Sequence, residues 1–184
     1  MTDPDARLYN FNSALAIANH VHDGQADKAG EPYILHPIRV ALRLNTPLLR
    51  VLGLLHDVLE DAEGLLRDTV RAEIHVYFGS GVVNLLEILS RREENYEKYI
   101  ERLSLVPILC KVKLADLADN LDQTRWAETG WTPPAIQRRR YVWARWYLER
   151  ASIDHEPKPP SVGQVCKTPP AQMIENMNKF EVKL

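Results

Sequence analysis

The feature that most constrains the fold is an apolar stretch that leads into a cluster of ionisable side chains. From Thr46-Pro47 onward, a helix drawn through positions 47 to 61 carries apolar residues on nearly all sides. A helix of this kind belongs in the core of a helical protein rather than on its surface. The sequence therefore predicts an all-α fold organised around one buried central helix.

The end of that helix carries four ionisable groups, which are His56, Asp57, Glu60 and Asp61. At 100° per residue they fall within about 140° of the helix circumference. Crowded carboxylates beside an imidazole repel one another unless a cation or bound protons relieve them. Because His and Asp are both good ligands for Zn, Mn or Fe, a metal site is the favoured interpretation. A polar helix end that faces water is the alternative.

Periodicity and breaker residues predict further helices around the central one. No segment reads convincingly as a strand. Gly79-Ser80-Gly81 is predicted to break one helical segment, and Pro107 is predicted in the first turn of another. The expected helices cover positions 6–21, 38–44, 47–61, 66–78, 81–89, 96–105, 107–121 and 133–149.

Length and composition limit the function classes. The 184 residues suit one domain, with 45% hydrophobic and 26% charged residues, as in an ordinary globular protein. A net charge of −2 argues against a general nucleic-acid or membrane-surface binder. No apolar run approaches the roughly 20 residues of a membrane span, and no secretory signal is evident, so a cytoplasmic location is expected. Residues 1–152 are predicted to form the domain, and 153–184 a Pro-rich, extended or partly disordered tail.

Isolated polar residues elsewhere suggest partners for the central cluster. Lys28 lies in a Gly- and Pro-containing loop, and His36 is expected at a bend directly before a helix that begins with Pro37. Asp116 and Asn120 share one face of a largely apolar helix. His36 becomes relevant to a metal site only if the fold brings it to the central cluster.

In this order, the motifs resemble the HD-domain phosphohydrolases, and more closely the hydrolase domain of RelA/SpoT-type alarmone enzymes and the small alarmone hydrolases. The first motif is His22-Asp-Gly-Gln25 followed by Lys28-Ala-Gly-Glu-Pro-Tyr-Ile-Leu-His36-Pro37. The second is His56-Asp57-Val-Leu-Glu60-Asp61, and the third is Lys113-Leu-Ala-Asp116 followed by Asn120. The resemblance implies a single HD-domain helical bundle that spans roughly residues 10 to 150.

The resemblance also implies roles by position. The metal-binding positions, which would hold one divalent cation, usually Mn2+, are His36, His56, Asp57 and Asp116. The positions of the catalytic acids are Glu60 and Asp61. The positions expected near the nucleotide are Lys28, Asn120 and Tyr141. Apart from the resemblance, one residue of the run Arg138–Arg140 is expected to neutralise substrate charge, and Arg140 is the one chosen.

Two positions depart from the family pattern. The first loop usually has Arg-Lys, where this chain has Asp27-Lys28. After the metal-binding Asp the family usually reads Arg-Leu-His-Asn, where this chain reads Leu117-Ala-Asp119-Asn120. These changes remove one basic contact and add two acids near the expected pocket.

The expected activity is metal-dependent hydrolysis of a nucleotide phosphate ester, with a small-molecule nucleotide as partner. For an alarmone hydrolase, the 3′-pyrophosphate of (p)ppGpp would leave as pyrophosphate and give GDP or GTP. One alternative is a phosphatase that acts on NADPH or another nucleotide at the same site. A second alternative is a nucleotide sensor that binds without turnover.

Overall fold

The computed structural model describes residues 9–127 and 130–153, and within these ranges the fold is a bundle of α-helices without a β-strand. The all-α prediction is therefore confirmed. An isolated bridge between Ala26 and Pro32 closes one loop. The helices are α1 (Phe11–Val21), α2 (Leu35–Leu42), α3 (Pro47–Leu55), α4 (Val58–Asp61), α5 (Gly64–Leu89), α6 (Tyr96–Ser104), α7 (Pro107–Asn120) and α8 (Ala135–Ile153), with a 3-10 turn at Gln123–Trp126.

Helix α3 forms the centre of the bundle, as its apolar sequence predicts. It packs against α1, α2, α5 and α7, and Leu52, Leu54 and Leu55 are fully buried. The hydroxyl of Thr46 caps the first turn by accepting a hydrogen bond from the Leu49 amide at 3.3 Å. Pro47 follows at a position where its missing N–H costs no hydrogen bond.

The prediction that the central helix continues through Asp61 is wrong. Helix α3 ends at Leu55, His56 and Asp57 form a turn, and the single turn of α4 follows. In the turn, the His56 ring donates a hydrogen bond from Nδ1 to the Gly53 carbonyl at 2.8 Å. A side chain that donates to a helix carbonyl in this way competes with the backbone amide that would otherwise bond to it. The apolar pattern therefore continues past Leu55, but the helical backbone ends there.

Helix α2 begins earlier than expected. It starts at Leu35, so His36 lies within its first turn and not at a bend before it. Pro37 is compatible with this start, because amides in the first turn have no partner within the helix. His36 is thereby held on a rigid element that packs against α3 and α7.

Two glycines shape the bundle. A Cβ at Gly53 would lie 2.9 Å from Leu44 Cδ1 and 3.0 Å from Ala41 Cα, so only glycine lets α2 and α3 approach this closely. Gly79 has φ 80° and ψ 171° and kinks α5, which confirms the break predicted at this position.

Several expectations concern residues outside the described ranges. They are the start of the first helix near position 6 and the Pro-rich tail beyond position 153. The domain boundary at 152/153 stays a prediction, and helix α8 continues through Ile153. Within the described ranges, no helix is long and apolar enough to cross a membrane.

Candidate metal centre and active-site cavity

Two helices and one turn bring the predicted metal ligands together. Helix α2 supplies His36, the turn after α3 supplies His56 and Asp57, and α7 supplies Asp116. One donor atom from each of His36, His56 and Asp116 lies within 4.8 Å of the others. Asp57 Oδ2 lies 2.9 Å from His56 Nε2 and 3.8 Å from His36 Nε2. The four side chains thus converge on one small volume.

Hydrogen bonds orient both imidazoles toward that volume. His56 donates from Nδ1 to the Gly53 carbonyl, and His36 donates from Nδ1 to Asp119 Oδ2, each at 2.8 Å. With Nδ1 used in these bonds, Nε2 of each ring faces the centre and offers a lone pair once the ring is neutral. His56 Nε2 is buried beside Asp57 Oδ2. Ring nitrogens oriented in this way among carboxylates fit a divalent cation, which would take the place of a proton.

The electrostatics of these side chains also favour a cation. Burial lowers the pKa of His36, but its hydrogen bonds to Asp116 and Asp119 outweigh this and raise the pKa to about 9. Burial raises the pKa of Asp116, yet Lys113 and the two histidines hold it far below its usual range. The pKa of Asp57 is likewise lowered against burial, first by His56. The carboxylates therefore stay ionised and attract positive charge, whether protons or a metal ion.

Asp116 divides its two carboxylate oxygens between two tasks. Oδ2 pairs with Lys113 Nζ at 2.7 Å, while Oδ1 lies 3.2 Å from His36 Nε2. Asn120, one turn further along α7, donates from Nδ2 to Oδ1. Lys113 therefore pairs with Asp116 inside the bundle and not on its surface, and it fixes the direction of the carboxylate.

The two predicted catalytic acids point in different directions, because consecutive residues on α4 are about 100° apart. Glu60 lines the cavity next to the ligand cluster, and its Oε2 accepts a hydrogen bond from the Arg91 amide at 2.8 Å. Asp61 does not line the cavity, and its Oδ2 lies 3.6 Å from Nδ1 of the buried His22. Burial and the neighbouring Asp57 and Glu60 raise the pKa of Asp61 to about 6.

A cavity of about 620 Å3 opens from the ligand cluster, and all four predicted substrate-binding residues line it. Lys28 Nζ donates to Gln137 Oε1 at 3.2 Å, and Gln137 Nε2 donates to the Tyr141 hydroxyl at 2.6 Å. Lys28 also lies 6.0 Å from the centre of the Trp131 ring. Of the three consecutive arginines, Arg140 is the one in the lining.

Sequence reasoning missed three residues that hold this site together. The Tyr33 hydroxyl donates to Asp57 Oδ2 at 2.5 Å, Asp119 accepts from His36, and Arg125 contacts Asp119. Asp119 had one available signal, since it is an isolated acid one turn after Asp116 on an apolar helix. The long sequence separation between Arg125 and its partners left no local signal.

Part of this sequence is similar to known bacterial proteins. No family model matches the sequence. Over 138 residues, the chain is 29% identical to the guanosine-3′,5′-bis(diphosphate) 3′-pyrophosphohydrolase of Vibrio cholerae, covering 66% of this chain and 18% of that protein. It is 36% identical over 126 residues to the protein of the same name from Aquifex aeolicus, covering 61% and 17%. The chain thus spans less than a fifth of the length of these relatives.

A solved structure has the same fold over most of its length. It is a metazoan ortholog of SpoT that is described as hydrolysing ppGpp. The two chains superpose with a TM-score of 0.61 at 24% identity, covering 85% of this chain and 91% of the other. The chain is thus similar in sequence to one part of the ppGpp 3′-pyrophosphohydrolases, and it shares the fold of the metazoan protein.

Proposed function

We propose that the protein hydrolyses the 3′-pyrophosphate ester of ppGpp or pppGpp and releases pyrophosphate with GDP or GTP. The observation that carries the proposal is the convergence of His36, His56, Asp57 and Asp116 at one end of a cavity large enough for a nucleotide. The similarity to ppGpp pyrophosphohydrolases supports the choice of substrate.

The proposed cofactor is one divalent cation, Mn2+, held by His36, His56, Asp57 and Asp116. The mixed nitrogen and oxygen donor set suits a first-row divalent metal. The chemistry supplied by such a cation is acidification of water and polarisation of a phosphoryl oxygen.

Glu60 is the proposed base that orients or deprotonates the attacking water. It lines the cavity beside the ligand cluster, and the Arg91 amide fixes one of its oxygens. A carboxylate held in this way leaves its other oxygen for a water molecule. Asp61, the next residue on α4, is proposed to assist proton transfer. Its pKa of about 6 suits a group that exchanges protons near neutral pH.

The remainder of the cavity suits the nucleotide. Lys28 and Arg140 are proposed to neutralise phosphate charge, and Asn120 and Tyr141 to contact the substrate near the metal ligands. Trp131 adds an aromatic face at the end that carries Lys28, and such a face is suited to stacking on a nucleobase.

The experiment that tests the proposal incubates the purified protein with Mn2+ and ppGpp, with NADPH in a parallel reaction. The variant Asp57→Asn removes a proposed metal ligand with little change in volume. Asp68→Asn is the matched control, because Asp68 is an exposed acid on α5 outside the cavity lining. We expect pyrophosphate from ppGpp, a loss of more than about a hundredfold in Asp57→Asn, and wild-type turnover in Asp68→Asn.

The other outcomes also discriminate. If phosphate is released from NADPH and ppGpp is not cleaved, the proposed site stands but the proposed substrate is wrong. If neither nucleotide is cleaved while Mn2+ and ppGpp both bind, the hydrolase proposal is wrong and the sensor alternative applies.

A further inference from the structure

The buried carboxylate of Asp119 is an acid that the proposed reaction does not use. It lies on α7 three residues after Asp116, and it is completely buried. A carboxylate at such depth is costly unless charged partners and hydrogen bonds compensate it. Its contacts therefore indicate why the fold retains it.

Three arginines supply the compensating charge. Arg39 donates from Nε to Asp119 Oδ1 at 2.9 Å, Arg125 Nη1 lies 2.7 Å from Oδ2, and Arg43 Nη2 lies 3.5 Å from Oδ1. Each of these contacts brings an N–H group to a carboxylate oxygen, so both oxygens of Asp119 act as hydrogen-bond acceptors.

The remaining contact of this carboxylate is the metal-facing histidine. Asp119 Oδ2 accepts the hydrogen bond from His36 Nδ1 at 2.8 Å, while His36 Nε2 faces Asp116 and Asp57. Because both Asp119 oxygens already face arginine N–H groups, the carboxylate accepts from His36 and selects the tautomer that has its proton on Nδ1. The same bond makes Nε2 a stronger electron donor toward a cation.

Arg125 connects Asp119 to the loop that carries Lys28. Its Nη2 donates to Asp27 Oδ2 at 3.0 Å, and Asp27 Oδ1 accepts from the amides of Ala29 and Glu31. Both acids that depart from the family pattern therefore pair with one buried guanidinium. At these two positions the negative charges of Asp27 and Asp119 are thus balanced by Arg125, so neither acid adds an unpaired charge to the cavity.

We propose that Asp119 is a positioning residue of the metal centre, which fixes the ring and tautomer of His36 so that Nε2 can bind the cation. The inference rests on the proposed metal-dependent function. It requires no contact between Asp119 and the substrate or the metal ion.

The test measures Mn2+ binding to the purified full chain by isothermal titration calorimetry, without substrate. In Asp119→Asn we expect the Mn2+ dissociation constant to rise ten- to a hundredfold, as for other residues that orient a metal ligand. The matched control is Asp122→Asn, since Asp122 pairs with Arg43 at 3.1 Å but makes no contact with His36. That control should bind Mn2+ like the wild type.

Equal Mn2+ affinity in wild type and Asp119→Asn would overturn the inference, as would an equal loss in Asp122→Asn. If the wild type itself binds no divalent metal, the proposed function fails instead, so the two failures are distinguishable.

A second measurement needs no variant, in case Asp119→Asn does not fold. In the Zn2+-loaded wild type labelled with 15N at histidine, NMR should show a proton on His36 Nδ1 and none on Nε2. The opposite tautomer would overturn the inference.

Discussion

The two ends of the cavity are built in different ways. At the metal end, His36, His56 and Asp116 are buried, and each is fixed by at least one further side chain or carbonyl. At the open end, Lys28 and Arg140 are exposed, and Lys28 lies on a loop. The residues proposed for the chemistry thus lie on buried, mutually fixed groups, and Lys28 and Arg140, proposed for substrate recognition, are more accessible. Changes at the metal end should abolish function, whereas changes at the open end should tune it.

The largest effect is expected for Asp116→Asn. The change removes a proposed metal ligand and leaves the Lys113 cation without its carboxylate partner. Turnover of ppGpp should fall more than about a thousandfold, and the unfolding free energy should fall by about 3 kcal/mol, because a buried charge loses its partner. Turnover assays and urea unfolding check both values, with Asp122→Asn as the control. An active variant of wild-type stability would contradict the comparison.

Glu60→Gln tests whether Glu60 acts as the base or as a ligand at the metal end of the cavity. Since Glu60 is proposed as a base and not as a metal ligand, kcat should fall about a hundred- to a thousandfold. The Mn2+ dissociation constant should stay near the wild-type value. Turnover close to wild type would show that Glu60 is not the base, and lost Mn2+ affinity would place it among the metal ligands.

Metal binding should depend on pH in a defined direction. Because the pKa of metal-free His36 is raised to about 9, its ring is protonated at neutral pH, and a cation must displace that proton. Mn2+ affinity should therefore rise between pH 7 and 9, by up to about tenfold per pH unit for one proton displaced. Calorimetry in buffers of different ionisation enthalpy measures the released proton. An affinity that does not change over this range would contradict the assignment of His36.

The smallest effect is expected at the open end, for Lys28→Met. The substitution removes an exposed charge while keeping a similar length, so KM for ppGpp should rise about tenfold or less with kcat nearly unchanged. The difference between variant and wild type should shrink at high salt, because exposed charges are screened. A large loss of kcat would instead show that the Lys28 loop takes part in organising the metal end.

The sequence was sufficient for the helices but not for the details of the turn that carries His56 and Asp57. Thr46-Pro47, Gly79 and Pro107 are local signals, and each marks a helix boundary or break in the structure. The end of α3 at Leu55 has no such signal, because apolar residues continue on both sides and the cause is a side chain turning back to a carbonyl.

Long-range pairing explains the other gap between sequence and structure. Asp119 accepts a hydrogen bond from His36, which is 83 positions away in the sequence, and Arg125 pairs with Asp27 across 98 positions. Neither pairing follows from periodicity or from a local motif. The first exists because α2 packs against α7. The second joins the loop before α2 to the 3-10 turn after α7.

The close approach at Gly53 has a consequence for cation size. His56 lies one helical turn after Gly53, and His36 lies five residues before Ala41, which a Cβ on Gly53 would touch at 3.0 Å. The spacing of α2 and α3 at Gly53 therefore contributes to the distance between the two imidazoles. A single alanine at position 53 would push the two helices apart without altering any proposed ligand. In the proposed metal site, the accepted ionic radius would then depend on the core of the bundle as well as on the donor atoms.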